Sequence, residues 1–203
     1  MRSKNTTRQS LLSAGAQEFA QLGYQKARIV EICRNAETNP ASINYYFGSK
    51  SNFYIAVWEH LLSKTMERES YQLDEIPSPE ECRAMLRAWM LNLFRANIRK
   101  SRALHLRNIM IYREMCDPSE MFQELFDRFL APRAECLEKL ICGMNGNKLS
   151  PTDSKIRVLS MIANISFFMN NRPLEQILLR QNDFEDRNLE KIIDTLLDMM
   201  TAK

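Results

Sequence analysis

Residues 37–50 read ETNPASINYYFGSK. Asn39-Pro40 marks a helix start: an asparagine side chain caps free amides, and proline suits the first helical position because its missing N–H would have no partner there. The helix that it opens is short, running only to about Tyr45 or Tyr46. After Phe47-Gly48, Ser49 is a cap for a longer helix from Lys50 to about Tyr71, with Phe53, Val57 and Leu61 along its inner stripe. Upstream, Ile29 and Ile32 lie three apart with Cys33 and Ala36 on an adjoining face, which predicts a second helix over about 28–36. Before it, Leu12, Ala16, Phe19 and Leu22 keep helical spacing over 5–22, and Gly23 ends that run. A short helix, a tight turn and another short helix let the latter project into a major groove about 12 Å wide. The same spacing also fits a small helical bundle with no nucleic-acid role.

The charge is unevenly spread. Residues 1–60 hold seven Lys/Arg (Arg2, Lys4, Arg8, Lys26, Arg28, Arg34, Lys50) against four Glu (Glu18, Glu31, Glu37, Glu59), so the formal net charge of +3 lies wholly there. Residues 61–203 carry 21 of each sign and balance. A basic head beside a neutral remainder suits a phosphate-binding surface. With 45% hydrophobic and 26% charged residues the composition is that of a soluble protein, and 5 Gly with 7 Pro are too few for a turn-rich β fold. No apolar run is long enough to span a bilayer, and the start shows no apolar run followed by a cleavage site, so no membrane contact and a cytoplasmic location are expected.

Five cysteines, Cys33, Cys82, Cys116, Cys136 and Cys142, form no CxxC pair and are odd in number, against a disulfide framework. Cys33 and Cys136 fall in apolar helical patterns, as buried thiols do. His60 and His105 are far apart and lack clustered acidic or thiol partners, so no metal and no cofactor is expected. Neither a nucleophile–base pair nor a glycine-rich phosphate loop appears, and the chain is not expected to be an enzyme.

Beyond the head the pattern stays helical. Ile76-Pro77-Ser78-Pro79 is a link, and Pro79-Glu80-Glu81 starts a helix to about Ile98 with Met85, Leu86, Trp89, Met90, Leu93 and Phe94 as its apolar face. Helices follow over about 101–115, 119–143, 151–170 and 185–200. Asp117-Pro118-Ser119 breaks the first of these, and Pro132 should kink or divide the second. Gly143-Met144-Asn145-Gly146-Asn147 is a loop, and Ser150-Pro151 caps the next helix. That helix is apolar on nearly every side, so it is either central or covered by a partner on its second face. The last helix shows Leu189, Ile192, Ile193, Leu196, Leu197 and Met200 against an acidic edge of Glu185, Asp186, Asp194 and Asp198. The expected fold is all-α, of about nine helices.

From Thr7 to Trp58, and most specifically in ETNPASINYYFGSKSNFYIAVWEHL from Glu37, the chain resembles the TetR family of bacterial regulators. Ile43 holds the family's apolar position, Tyr45 and Tyr46 the aromatic ones, Phe47 the buried aromatic, and Gly48-Ser49-Lys50 the turn, cap and basic residue. Upstream, Phe19, Gly23, Ile29, Ile32 and Ala36 match core and turn positions. Four positions depart from the pattern. Ala27 replaces the usual capping Thr or Ser, Glu37-Thr38 replaces Gly-Val so that the turn is made without glycine, and Asn44 replaces an aromatic residue. Over about 80–180 the body resembles the YbiH/CecR-like subfamily, on HLRNIMIYREMCDPS and FLAPRAECLEKLI.

This resemblance implies a three-helix helix-turn-helix head, residues 1–50, and an effector-binding, dimerising body, residues 51–203, which opens with the long linking helix. It also implies a regulator of transcription, a repressor released by a small molecule. Residues 39–45 would form the recognition helix, with Ser42, Asn44 and Tyr45 towards DNA. Asn44 would read adenine or bond phosphate, and Tyr45 would donate to phosphate or pack on a sugar. Thr38 and Asn39 would lie near a phosphate, although capping alone accounts for Asn39. Lys50, with Arg28 as a weaker candidate, would neutralise phosphate charge. Tyr46 reads as core. An apolar or aromatic effector would sit among Trp89, Phe94, His105, Ile109, Tyr112, Arg113, Phe122, Phe126 and Phe129, each of which also fits ordinary core or surface. A homodimer on a pseudo-palindromic operator would pair through Leu159, Ile162, Ala163, Phe167, Leu189, Ile193, Leu196 and Met200. The competing reading is an activator or architectural DNA binder with no effector.

Overall fold

The computed structural model describes residues 4–65, 73, 75–98, 101–171, 174, 177 and 186–201, and every regular element among them is helical. In chain order these are α1 (Lys4–Lys26), α2 (Ile29–Asn35), α3 (Ala41–Phe47), α4 (Lys50–Thr65), α5 (Pro79–Ile98), α6 (Arg102–Cys116), α7 (Phe122–Leu125), α8 (Ala131–Met144), α9 (Pro151–Asn170) and α10 (Asp186–Met199). The expected continuation of α4 to Tyr71 and the acidic residue Glu185 lie outside the described residues. Two compact units result: Met1–Glu69 with Lys100–Phe126, and Ser70–Arg99 with Asp127–Lys203.

The first unit closes around aromatic rings. Leu11, Leu12, Ala16 and Phe19 of α1 meet Ile32, Cys33 and Ile43 of the two short helices and Phe53, Tyr54, Val57 and Trp58 of α4, all buried. Phe19 lies edge-on to Tyr54 at 4.7 Å between ring centroids, and Phe47 is tilted on Phe53 at the same distance. Gly15 permits this approach, because a Cβ there would sit 2.5 Å from Cζ of Phe53. Gly23 interrupts α1 at φ 77°, as its place in the sequence predicts. Leu22, expected on the inner stripe, is instead 36% exposed. Leu12, Ala16 and Phe19 are buried as expected, and Leu11 is buried with them.

Helix α6 belongs to this unit and packs on α1 and α4. Its Arg113 donates to the Gln21 carbonyl at 2.9 Å, beside Gly23. Its Glu114 is buried and accepts from three donors. These are the Tyr54 hydroxyl at 2.7 Å, the Ser119 amide at 2.9 Å and the Ser119 hydroxyl at 3.0 Å. Burial above all, with the Glu114 carboxylate adding to it, pushes the Tyr54 phenol far above its ordinary value, so Tyr54 remains a donor at any working pH.

The second unit is built on α5 and α8, with α9 and α10 around them. Ser78 and Glu81 form a reciprocal capping box at the start of α5. The Glu81 carboxylate accepts from the Ser78 amide at 2.9 Å, and the Ser78 hydroxyl accepts from the Glu81 amide at 3.3 Å. Ser150 caps α9 through the Asp153 amide at 3.1 Å. Residues Phe126–Leu130 are π-helical immediately before α8, with Pro132 in its first turn. A proline there cannot donate to the carbonyl four residues back and crowds it, so a wider turn is the local remedy. The acidic edge of α10 pairs with α5: Arg83 with Asp198 at 2.6 Å, Arg87 with Asp194 at 3.0 Å and with Glu190 at 3.7 Å. Spacings of four on one helix and of four and eight on the other fit antiparallel neighbours.

All five cysteines are free; Cys33, Cys82 and Cys136 are buried, Cys142 is half-buried and Cys116 is exposed. Among the described residues no helix is long and apolar enough to cross a membrane, and no cluster of His, Cys, Asp or Glu is placed to hold a metal ion.

Candidate nucleic-acid interface

The turn between α2 and α3 sets how α3 is presented. Arg28, with extended backbone, precedes α2 without a side-chain cap, as Ala27 leads one to expect, and Ala27 itself is buried. At the other end of α2, the Glu37 amide donates to the Arg34 carbonyl at 3.1 Å and the Thr38 amide to the Cys33 carbonyl at 2.9 Å. Together these two bonds make a complete Schellman closure. The closure requires a left-handed residue, and Glu37 supplies it at φ 54° where glycine would do so without strain. Glu37→Gly is therefore expected to stabilise the protein by about 1 kcal/mol in urea unfolding. Lower stability of this variant than of the parent would contradict the strain argument.

Asn39 accepts from the Ala41 amide at 2.8 Å through its side-chain oxygen, so it caps α3, while Pro40 already has helical angles. Ile43 is buried and pins the helix to the core. The opposite face consists of Ala41, Asn44, Tyr45 and Gly48, all exposed and spaced three, four and seven apart. Tyr45 is 67% exposed and stands edge-on to Tyr46 at 4.9 Å, which limits the directions its ring can take. Ser42, Thr38 and Tyr46 are half-buried at the flanks, and Tyr46 is thus not full core. Ile29 and Phe47 are likewise half-buried. Gly48, at φ 80°, ends α3, and its amide donates to the Asn44 carbonyl at 3.1 Å. Ser49 then caps α4 by accepting from the Asn52 amide at 3.1 Å.

Sequence reasoning missed Ala41 and Gly48 on this face. The signal was present, since Ala41 lies three residues before Asn44 and Gly48 three after Tyr45.

Helix α3 itself carries no cation. Lys50 donates to the Gln25 carbonyl at 3.3 Å and lies 4.9 Å from the centre of the Tyr24 ring. Burial pulls its ammonium below the ordinary lysine value, and Glu120 opposes that shift. Arg28 is exposed, Arg34 pairs with Glu31 on α2, and Arg8 stacks on Phe47 at 5.3 Å.

The residues expected at an effector site are divided between the units. Phe94 is buried in the core of the second unit, with Trp89 packed against that core and Phe129 half-buried. His105, Tyr112 and Phe126 of the first unit are exposed, whereas Ile109, Phe122 and Arg113 are half-buried. Among those expected at a dimer interface, Leu159, Ala163 and Phe167 are exposed on α9 and Ile162 is half-buried. Ile156 extends the same face at 54% exposure. Leu189, Ile193, Leu196 and Met200 need correction. They are at most 3% exposed and belong to the core of the second unit, so no side-chain surface remains for a partner. A helical apolar stripe shows that a face is covered, and here α10 is covered from within the chain.

Comparison with known proteins finds two family models. Residues 11–57 match that of the bacterial regulatory proteins, tetR family, and residues 83–202 match the C-terminal domain of the HTH-type transcriptional dual regulator CecR. The chain is similar to the HTH-type transcriptional dual regulator CecR of Shigella flexneri, at 27% identity over 93% of this chain and 87% of that protein. It is also similar to the HTH-type transcriptional repressor NicS of Pseudomonas putida, at 31% identity over 88 residues, 43% of this chain and 42% of that protein. Among solved structures, the transcriptional regulator FadR of Bacillus subtilis, in complex with stearoyl-CoA, shares the fold. Its TM-score is 0.63 at 14% identity, covering 95% of this chain and 96% of that one.

Proposed function

Since the chain belongs to the TetR family of bacterial regulatory proteins, with a body of the CecR C-terminal type, and is a DNA-binding regulator, we propose that it is a homodimeric repressor released from its operator by a small molecule. The observation that carries the DNA contact is the exposed face of α3. Asn44 and Tyr45 project from a helix whose opposite side is held by Ile43, on a turn closed by Glu37 and a cap supplied by Asn39. Thr38 and Ser42 flank this face, and Arg28 and Lys50 reach the phosphates on either side. Phosphate contacts set the register, while side chains on α3 meet base edges.

The dimer in this reading pairs the outer face of α9: Ile156, Leu159, Ile162, Ala163 and Phe167. An exposed apolar row of this length on an otherwise ordinary helix supports a partner surface. Two heads then address half-sites about one helical turn apart on a pseudo-palindromic duplex. Leu159→Glu is expected to convert a dimer at micromolar concentration into a monomer in sedimentation velocity and to abolish tight operator binding. A variant that sediments as the parent does would remove α9 from the interface.

The release step assigns an apolar or aromatic effector to the body. FadR, which shares the fold, was solved with stearoyl-CoA, whose acyl chain is apolar. Such a molecule acts by binding more tightly to the conformation that holds DNA poorly. A thermal-shift screen followed by operator-release assays tests this step. A compound that stabilises the protein yet leaves operator affinity unchanged would argue for DNA binding without effector control by that compound.

A further inference from the structure

The outward face of α3 bears no cation, and that absence limits which bases it can read. No Lys or Arg occurs from Asn35 to Ser49, and the face is Ala41, Asn44, Tyr45 and Gly48. Guanine presents two acceptors, O6 and N7, in the major groove, and the commonest specific contact is the double donor of an arginine or lysine. The cations nearest α3 in sequence lie outside it, Arg34 beside Glu31 on α2 and Lys50 beside the Gln25 carbonyl and the Tyr24 ring. What the face does offer is a carboxamide, a methyl group and a phenol. A carboxamide sets an amide donor beside a carbonyl acceptor, the complement of the adenine N7 and N6–H pair. The Ala41 methyl, one turn before Asn44 and Tyr45, suits the C5-methyl of thymine. Gly48, with no side chain, keeps the C-terminal end of the face low.

We propose that the centre of each operator half-site is read as adenine and thymine, Asn44 pairing with an adenine and Ala41 packing on a thymine methyl, with no guanine fixed by α3. The proposal rests on α3 being the DNA-reading helix. It also makes Ala41 a specificity residue, because any larger side chain there fills the space that the thymine methyl occupies.

The test is selection from a pool of randomised duplexes with the full-length protein, followed by base-analogue substitution in the selected site. The expected motif has an invariant A·T pair in each half-site that relaxes in Asn44→Ala. Replacing that adenine by 7-deazaadenine, which lacks the N7 acceptor, should weaken binding about tenfold. Replacing the adjoining thymine by uracil should weaken it severalfold for the parent and not for Ala41→Gly. The analogue measurements on the parent protein stand even where a variant folds poorly. An invariant guanine that relaxes in Asn44→Ala would overturn the proposal and leave DNA reading by α3 intact. A motif unmoved by Asn44→Ala, or no enriched motif, would overturn both.

Discussion

Asn44→Ala combined with Tyr45→Ala is expected to weaken binding to a selected operator by roughly a hundredfold or more. One bidentate side-chain-to-base pair is worth about 1–3 kcal/mol, and a dimer loses two. Both side chains are exposed, so the unfolding free energy should change by less than about 0.5 kcal/mol. The salt dependence separates base reading from charge neutralisation. Neither residue is charged, and the slope of log affinity against log salt should match that of the parent. Lys50→Met, in contrast, should lower that slope by about 0.9 for each phosphate that the lysine neutralises, and weaken all duplexes alike. Tight, sequence-specific binding that survives the double substitution would move the reading surface away from α3.

The largest expected drop in stability comes from Glu114→Ala. The carboxylate is buried and takes three hydrogen bonds, from Tyr54 on α4 and from the amide and hydroxyl of Ser119. Its removal leaves the Tyr54 hydroxyl, on a residue 1% exposed, without its acceptor, together with a small void. The expected cost is about 3–5 kcal/mol, summing an unsatisfied buried donor and the cavity. Tyr54→Phe removes only one of the three bonds to a charged acceptor and should cost about 1.5–3 kcal/mol. Glu114→Gln should lie between the parent and Glu114→Ala, because its oxygen still accepts from Tyr54 while its amide group opposes the Ser119 donors. Urea unfolding orders these variants. An alanine variant as stable as the parent would show that Glu114 is dispensable to the packing of α6 on α4.

How much of this was legible in the sequence follows from the range of each interaction. Asn39, Ser49 and Ser150 begin helices because a side-chain oxygen meets an amide two or three residues on, and so short a contact is written in the local sequence. Gly23 and the turn at Glu37 are local in the same sense. Without glycine the turn still needed a left-handed residue, and Glu37 adopts that conformation. Glu114 was not legible. In sequence it is one more glutamate on a helix, and only the packing of α6 on α4, distant in the chain, buries it against Tyr54. The α10 leucines and isoleucines were legible as a stripe but not in what covers it, since hydrophobic periodicity names a face and not its neighbour. The reading face of α3 was half legible. Asn44 and Tyr45 stand out chemically, whereas Ala41 and Gly48 matter because they are small.

In the proposed function the head of this chain reads a specific duplex. Genome-fragment selection with the purified full-length protein tests it most directly. A few fragments that share two inverted half-sites about one helical turn apart are expected, and they should disappear when Asn44 and Tyr45 are replaced by alanine. Recovery of no fragment above background, or of the same fragments with the substituted protein, would contradict it.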